Sequence, residues 1–590
     1  MADRETRLVA LVMAALLAIG TLVWALGRED KHQHTADLHA DASYYYAYLP
    51  SLLHGDLDFT DEYKVTGNWY RLGKTATGRP SNVFGIGPAV LDAPLYLVGH
   101  ALALATGARS DGFSDWEIWL YTWSSLLWSL GAVLVAYRLV RRRLGGGALA
   151  LAGPVLAALA GPIVYYAVRQ PGYAHPMATF FTALLVERWD ASYDAPRTTR
   201  TWIVLGAILG AAALARPQLA LWGVLYARAA LDDLIDAPRA EKKRLPLRWL
   251  AGAAAALVAF APQLLAWRVL YGAYYVVPQG PGFMRWDDPC WTDTLFSSRN
   301  GLFPWSPALA VFAIALACGL RRAPRLAGAL IAGFLLQAIA NGAAWDWWAG
   351  GSFGGRRFDS AYVAFALGAA LVVAWCVRAI PPAFARRAAW PVRARGIAAS
   401  LVALLVATLV AVNLELVGDY TVTSARITGG EPASDVIRTK VGGVRGKLAA
   451  WTSSLSNLPA RAAFAWRHDT TFDAYDRKIG VHVLGDTYPG LNSYGDQRTA
   501  TLPAPALDAD GRAHVLVVLN RNGGLTLTIP IDGLGQATVS WNGREVLEQS
   551  IAPGAILRVR TRDLRRGAND LVIEAAPGTK LGTLQLEAQP

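Results

Sequence analysis

Long apolar runs separated by short polar connections dominate the first 417 residues. Runs able to cross a bilayer core of roughly 30 Å lie near 8–27, 117–138, 148–167, 177–190, 201–215, 217–232, 249–270, 306–320, 326–343, 360–379 and 396–417. About eleven transmembrane helices are expected. Lys and Arg gather in alternate connections: Arg138 and Arg141 to Arg143; Arg188, Arg197 and Arg200; Arg239 to Arg248; Arg321, Arg322 and Arg325; Arg386 to Arg395. The positive-inside rule places these loops in the cytoplasm, with the amino terminus inside and the carboxyl terminus outside. The apolar segment 82–105 would invert every later basic loop if it crossed. It is therefore expected as a re-entrant or interfacial helical hairpin within a long outer loop, 28–116.

Beyond Val417 the pattern changes to Gly, Ser, Thr and Asp with no further spanning run. Residues 418–469 read as a helical connector, with Val436, Val444, Leu448 and Trp451 as an amphipathic set suited to a membrane surface. From 470 to 590, AHVLVVLN, GLTLTIPI, QATVSWNG, AILRVRT, NDLVIEAA and LGTLQLEA alternate with turn signals and predict a β-sandwich. The expected fold class is a mainly α-helical polytopic membrane protein with an extracytoplasmic carboxy-terminal β-sandwich.

Composition supports this reading. Of 590 residues 54% are hydrophobic and 17% charged, and the chain holds 22 Trp and 22 Tyr, residues that favour membrane interfaces. The net charge of +12 sits mostly in the basic loops, so it marks topology and excludes nucleic acid as the expected partner. Cys290, Cys318 and Cys376 are too scattered for a disulfide framework. The run from Leu8 to Leu26 is long for a signal-peptide core and is read as an uncleaved first span.

The candidate chemistry lies in the outer loops. Cations have no topological use there, so Arg71, Lys74, Arg79, Arg169, His175, Arg216, Arg285, Arg299, Arg356 and Arg357 suggest anion binding. The first outer loop opposes them with Asp37, Asp41, Asp56, Asp58, Asp61 and Glu62. A carboxylate base acting on a hydroxyl, with cations on a departing phosphate, suits such a set. Asp41 is equally placed to cap the helix that follows it. Asp56, Asp58, Asp61 and Glu62 fit a solvated acidic turn or a site for Mg²⁺ or Ca²⁺. His175 fits a loop anchor, and Arg356 and Arg357 fit cations reaching for head groups. Tyr44, Tyr45 and Tyr48 share a side near Asp41. His32, His34, His39 and Asp37 match no common Zn²⁺ spacing, and the Asp-x-Asp at 56–58 is a weak sign of nucleotide-sugar use.

The order of elements resembles the GT-C superfamily of polytopic glycosyltransferases, in the branch of the bacterial protein mannosyltransferases and aminoarabinose transferases. It rests on a first span, Asp41 with Tyr44 and Tyr45, GDLDFTDEY, NVFGIGPAVLDAPLYLVGHAL, GYAHPMATFFTALLV, LARPQLALWG, SSRNGLFPWSP and WAGGSFGGRRF, over about residues 1–380. The resemblance implies inverting transfer of a sugar from a polyprenyl-phosphate carrier to a glycan, lipid or protein acceptor on the outer face of a bacterial cytoplasmic membrane. It maps the catalytic base onto Asp41, with Asp56 and Asp58 as alternatives, since Ala42 stands where many relatives have a second acid. It places Arg356 or Arg357 on the donor phosphate. Tyr44, Tyr45, Asp56, Asp58, Lys74, His175, Arg299, Arg356 and Arg357 form the expected substrate-binding set, with no metal ligand assigned and a divalent cation as an open possibility. A non-catalytic flippase for lipid-linked glycans and a glycan polymerase or ligase are the alternative functions.

Overall fold

The computed structural model describes residues 2–29, 38–379 apart from 281, 287, 288, 297–299, 322, 345, 351 and 352, then 390–420, 482–484, and 499–588 apart from 503, 520–522, 565 and 566. The amphipathic set at 436–451 and the histidines at 32 and 34 lie outside these residues. The chain forms two compact units: one of residues 1–283, 306–340 and 355–418, the other of residues 284–305, 341–354 and 419–590.

The first unit is helical. Its amino-terminal part holds α1 (Ala2–Glu29), α2 (Asp41–His54), α3 (Thr60–Thr66), α4 (Gly87–Thr106) and α5 (Asp115–Leu144). Next come α6 (Ala152–Ala160), α7 (Ile163–Val168), α8 (His175–Ala191), α9 (Thr199–Ala215), α10 (Gly223–Asp236), α11 (Arg239–Lys242) and α12 (Leu245–Tyr271). In the second unit lie the short α13 (Trp291–Phe296) and α14 (Leu302–Trp305); α15 (Ala308–Gly319), α16 (Pro324–Ala343), α17 (Tyr362–Ala379) and α18 (Trp390–Asp419) are the remaining helices among the described residues. Seven helical segments among the described residues are long and apolar enough to cross a membrane, at 4–27, 87–106, 115–144, 245–271, 324–343, 356–378 and 394–418. Shorter apolar helices occur at 147–160, 199–215 and 308–319. The run expected near 148–167 breaks at Gly161, between α6 and α7.

The segment 82–105 departs from expectation. It contains one continuous helix, α4, and no hairpin. Its glycines serve close packing: a Cβ on Gly87 would stand 1.8 Å from the Leu214 carbonyl, and one on Gly99 2.6 Å from that of Trp116. The indole of Trp128 donates to Asp92 at 2.7 Å, so α4 lies along the amino-terminal half of α5.

α5 organises the unit. At about 1.5 Å per residue its length is close to 45 Å. Ser114 and Glu117 close a capping box at its start, where the Ser114 amide and hydroxyl both donate to Glu117 Oε2 at 2.7 Å. Arg141, Arg142 and Arg143 fill its last turn, where cations suit the helix dipole. There Arg143 Nε donates to Asp190 Oδ2 at 2.7 Å, Arg142 pairs with the buried Glu187, and Arg141 Nε lies 3.0 Å from Glu5 Oε1. Arg197 pairs with Asp233 nearby, and Arg248 reaches the Arg197 carbonyl at 3.2 Å. The Tyr193 ring lies between the guanidinium groups of Arg197 and Arg325, at 3.9 and 3.6 Å, and its hydroxyl donates to Asp232 at 2.6 Å. Four of the five basic connections therefore meet at one end of the unit.

α9 and α12 make a close crossing. A Cβ on Gly206 would fall 1.8 Å from the Gly252 carbonyl, and one on Gly210 2.2 Å from that of Ala256. Small residues let the two backbones approach, which is how helices associate where no water drives them together.

In the second unit, Asn300, at φ 57°, donates from its side-chain amide to the carbonyls of Trp348 and Gly350, both at 2.8 Å. Among the described residues the β-sandwich has two five-stranded sheets. One orders His482–Leu484, Arg512–Leu519, Gly567–Ala575, Gly535–Trp541 and Arg544–Ile551; the other orders Thr499–Leu502, Leu584–Ala588, Gly523–Asp532 and Ala555–Leu564, with Lys580–Leu581 beside Gly523–Asp532. Alternate residues point inward, so Val515, Val517, Leu527, Ile529, Val539, Leu557, Leu571, Ile573, Leu584 and Leu586 form one core. All six predicted strand segments lie in these sheets.

The α9–α12 crossing predicts that Gly206→Ala lowers stability by about 1–3 kcal/mol through overpacking. Gly27→Ala, in a helix with nothing within 4 Å of a new Cβ, should leave it nearly unchanged. Thermal unfolding of the detergent-solubilised variants checks this, and equal midpoints would refute the packing account.

Candidate functional site

The site lies in the helical unit, where the start of α2, the stretch before α4, the entry to α8 and the entry to α17 converge. Asp41 opens α2 behind Ala40, whose φ of 50° turns the chain sharply into the helix and which makes no side-chain cap. The Asp41 carboxylate looks across the molecule instead. Arg356 Nη1 donates to its Oδ2 at 2.7 Å, and the Tyr70 hydroxyl donates to its Oδ1 at 2.5 Å. The Arg356 and Asp41 side chains are 11% and 9% exposed, so this is a buried ion pair. Removing one partner of such a pair costs about 3–5 kcal/mol, because the other charge is left buried alone.

Arg356 begins a 3-10 turn, Arg356–Ala361, that leads into α17. The turn is tied to α8, since Thr179 Oγ1 donates to the Asp359 carbonyl at 3.2 Å. At the first position of α8, His175 Nδ1 lies 2.9 Å from Arg216 Nη1. A guanidinium can only donate, so Nδ1 accepts, and His175 is neutral with its proton on Nε2. Asp359 Oδ2 stands 3.5 Å from the same nitrogen. Tyr166 and Tyr173 pack on the imidazole at centroid distances of 4.9 and 6.2 Å, and the Arg356 guanidinium lies 5.4 Å over the Tyr173 ring. The loop carrying Tyr173 is pinned to α5: Tyr121 donates to the Gly172 carbonyl, and the Gly172 amide to Ser125 Oγ, both at 2.8 Å. Glycine is required there. Its φ is +85°, and a Cβ would stand 3.2 Å from that of Ala42.

The tyrosines of α2 divide by face. Tyr44, Tyr45 and Tyr48 all meet Phe84, while Tyr46 turns the other way to Tyr96, Phe113 and Tyr121. The Tyr44 hydroxyl donates to Asn68 Oδ1 and accepts from the Tyr70 amide, both at 2.8 Å. Burial pushes the Tyr45 hydroxyl up to about 12, against the opposing pull of Arg216, Arg356 and Arg357 and with Asp41 adding to the rise. Tyr45 therefore sits within the electrostatic reach of all four charged groups.

Of the expected residues, the structure brings together Asp41, Tyr44, Tyr45, His175, Arg356 and Arg357. Asp56 and Asp58 lie elsewhere in the loop as turn formers. Asp56 Oδ1 accepts from Ser51 Oγ and from the Asp58 amide, each at 3.0 Å, and Asp58 Oδ1 accepts from the Thr60 amide at 3.0 Å and from its hydroxyl at 2.5 Å. The Thr60 hydroxyl chiefly holds the Asp58 carboxyl below its ordinary range. Asp61 pairs with Lys64 at 2.8 Å. Asp56, Asp58 and Asp61 are thus each engaged separately. No group of three His, Cys, Asp or Glu suited to a metal ion occurs among the described residues. Lys74 is exposed, in a small bridge to Pro80. Arg299 lies outside the described residues.

Sequence reasoning did not select Tyr70, Tyr173 or Asp359, and it named Arg216 among the anion-binding cations without placing it in the substrate-binding set. Arg216 carried a signal as a cation in an outer loop; Asp359 carried one as an acid at the mouth of an apolar run. Tyr70 carried none, since a tyrosine among other aromatics says nothing about which carboxylate it will reach.

No family model matches the chain, and no curated protein does. Among solved structures it is similar to ArnT from Cupriavidus metallidurans in the apo state, with 15% identity and a TM-score of 0.40 over 80% of this chain and 81% of that one. The form of ArnT bound to undecaprenyl phosphate matches at 15% identity and TM-score 0.39, over 80% and 82%. The archaeal oligosaccharyltransferase AglB from Archaeoglobus fulgidus, in complex with an inhibitory peptide and a dolichol-phosphate, matches at 13% identity and TM-score 0.43, over 79% of this chain and 59% of that chain. Likenesses of this extent assign no chemistry, which has to come from the residues of the site.

Glu62, on α3, generates a pH prediction. It is 2% exposed, its Oε1 is 3.9 Å from His54 Nδ1, and its Oε2 has no hydrogen-bond partner among the described residues. Burial pushes its carboxyl up from 4.5 to about 7. The folded state holds this proton more tightly than the unfolded chain, so stability is fully present below pH 4.5 and falls as pH rises to about 7. Glu62→Gln should match wild type at low pH and exceed it by up to a few kcal/mol above neutrality. Unfolding midpoints of both proteins at acid and alkaline pH test this; a difference independent of pH would overturn it.

Proposed function

We propose that this chain is an inverting glycosyltransferase that moves a sugar from a polyprenyl-phosphate-linked donor to an acceptor hydroxyl. The observation that carries the reading is the buried Asp41–Arg356 pair beside Arg216, Arg357 and His175. Asp41 stands with three guanidinium groups around Tyr45, and Asp359 is the only other carboxylate among the described members of the cluster.

The chemistry follows from those charges. Asp41 takes the proton of the acceptor hydroxyl, whose oxygen attacks the anomeric carbon from the face opposite the phosphate. The bond between that carbon and the phosphate oxygen breaks, the carrier phosphate leaves with the electron pair, and the configuration inverts. Arg356, Arg357 and Arg216 stabilise the charge gathering on the phosphate. Phosphate is a good leaving group, so no general acid is needed. The chain is proposed to lie in a bacterial cytoplasmic membrane with the arginine-rich end of α5 in the cytoplasm and this site toward the outer face. Its acceptor would be a glycan, a lipid or a protein.

A carrier that only moves lipid-linked glycans would use the same arginines for phosphate without needing a base at Asp41. Asp41→Asn separates the two readings. The expected outcome is transfer of labelled sugar from undecaprenyl-phosphate hexoses to envelope acceptors reduced about 10²–10⁴-fold, with carrier binding within several-fold of wild type. Transfer at the wild-type rate would exclude Asp41 as the base. Arg357→Ala should weaken carrier binding about tenfold or more, as loss of a charge-assisted contact does; unchanged affinity would remove it from the phosphate site.

A further inference from the structure

We propose that Tyr70 decides between acceptor hydroxyl and water at this site, by occupying Asp41 until an acceptor displaces it. The inference rests on the reading of Asp41 as the base and adds a specificity-determining residue to it.

Both oxygens of Asp41 are engaged, Oδ2 by the Arg356 guanidinium at 2.7 Å and Oδ1 by the Tyr70 phenol at 2.5 Å. A base can deprotonate only a hydroxyl within hydrogen-bond reach. The phenol occupies that position, with a hydroxyl aimed at the carboxylate as an acceptor's would be. Acceptor and Tyr70 therefore exclude one another at Oδ1. With Asp41 only 9% exposed, the same phenol leaves little of the carboxylate for water.

The placement of Tyr70 suits a residue that moves aside. It lies in an irregular stretch between Gly67, at φ 82°, and Arg71, at φ 49°, a conformation uncommon for a non-glycine residue. Beside it, Trp69 is half-exposed. Two hydrogen bonds to the Tyr44 hydroxyl and a ring stack on Tyr44 at 5.2 Å hold the stretch against α2. Within it, Asn68 Nδ2 donates to the Leu72 carbonyl and the Leu72 amide to Asn68 Oδ1, both at 2.9 Å, so residues 68–72 form one small body. An acceptor large enough to displace that body gains the base; a water molecule is not.

The reaction held in check is donor hydrolysis. Water would give one proton to Asp41 while its oxygen attacked the anomeric carbon; the bond from that carbon to the phosphate oxygen would break and the carrier phosphate would leave with the electron pair, releasing free sugar. Tyr70→Phe removes the hydroxyl while keeping the ring on Tyr44 and the main-chain bond. With full-length protein in liposomes and radiolabelled undecaprenyl-phosphate hexoses, the variant should raise the ratio of free sugar released to sugar transferred at least tenfold. Tyr44→Phe, which loosens the stretch without touching Asp41, should raise the ratio by a smaller factor. Partial misfolding lowers both arms together and leaves the ratio where it was. Wild-type transfer with an unchanged ratio in Tyr70→Phe overturns this inference alone; no transfer by the wild-type chain to any acceptor would overturn the proposed function and this inference with it.

Discussion

The buried pair of Asp41 and Arg356 joins positions 315 residues apart and sets the form of everything near it. Neither charge is tolerable alone at that depth, because each loses most of its hydration. The start of α2 and the turn before α17 are therefore bound to approach. Once they do, the aromatic residues of α2, the loop carrying Tyr173 and the start of α8 have little freedom. Tyr173 packs under the guanidinium, Gly172 lets its loop pass Ala42, and His175 takes up Arg216. The arginine that neutralises the acid also brings the other cations close to it.

At the other end of the unit the same physics is used for a different purpose. Glu187 and Asp190 are fully buried acids, and the arginines of the last turn of α5 reach them from one side. Arg142 and Arg143 are about a quarter exposed, so these pairs keep one edge wet. Glu187 there meets the guanidinium groups of Arg138, Arg142 and Arg188, so an acid among several cations occurs at both ends. The arginine-rich end ties α5 to α1 and α8, whereas the end with Asp41 gathers Arg216, Arg356 and Arg357 near Tyr45 and His175. The positions of the charges distinguish the two ends; their number does not.

The parts legible in the sequence were those with a period. Runs of about twenty apolar residues became helices because a bilayer-length segment must satisfy its own backbone. The alternating Val515 and Val517, or Leu571 and Ile573, became strands with those side chains in the core. Arg356 was singled out as a cation with no topological use, a chemical signal that survives without knowledge of contacts, whereas Asp41 was one of several acids of the first outer loop and took its expected role from the family resemblance. Contacts between irregular segments carry no period. Tyr70 reaches Asp41 from a loop whose course depends on two hydrogen bonds to Tyr44, and in the acid turn at 56–62, conspicuous in composition, Asp56 and Asp58 are spent on the turn's own backbone. The single helix at 87–106 was misread as a hairpin because a charge rule counts crossings and does not see glycines that let a helix lie flat against its neighbours.

The pairing of one acid with one arginine has a further consequence for the proposed reaction. Before proton transfer, the Arg356 guanidinium is balanced by ionised Asp41. As Asp41 accepts the proton it becomes neutral, and the claim it makes on Arg356 falls at the moment negative charge appears on the phosphate oxygen. The guanidinium can pass from one anion to the other without moving far, because a planar fork with five donors holds two partners at once. The charge within the pocket stays nearly constant along the path, which a low-dielectric site favours over any route that creates an unbalanced ion. In the proposed reaction an ammonium, a point charge with three donors and no planar fork, would meet the two anions with less directed hydrogen bonds, which favours an arginine at position 356.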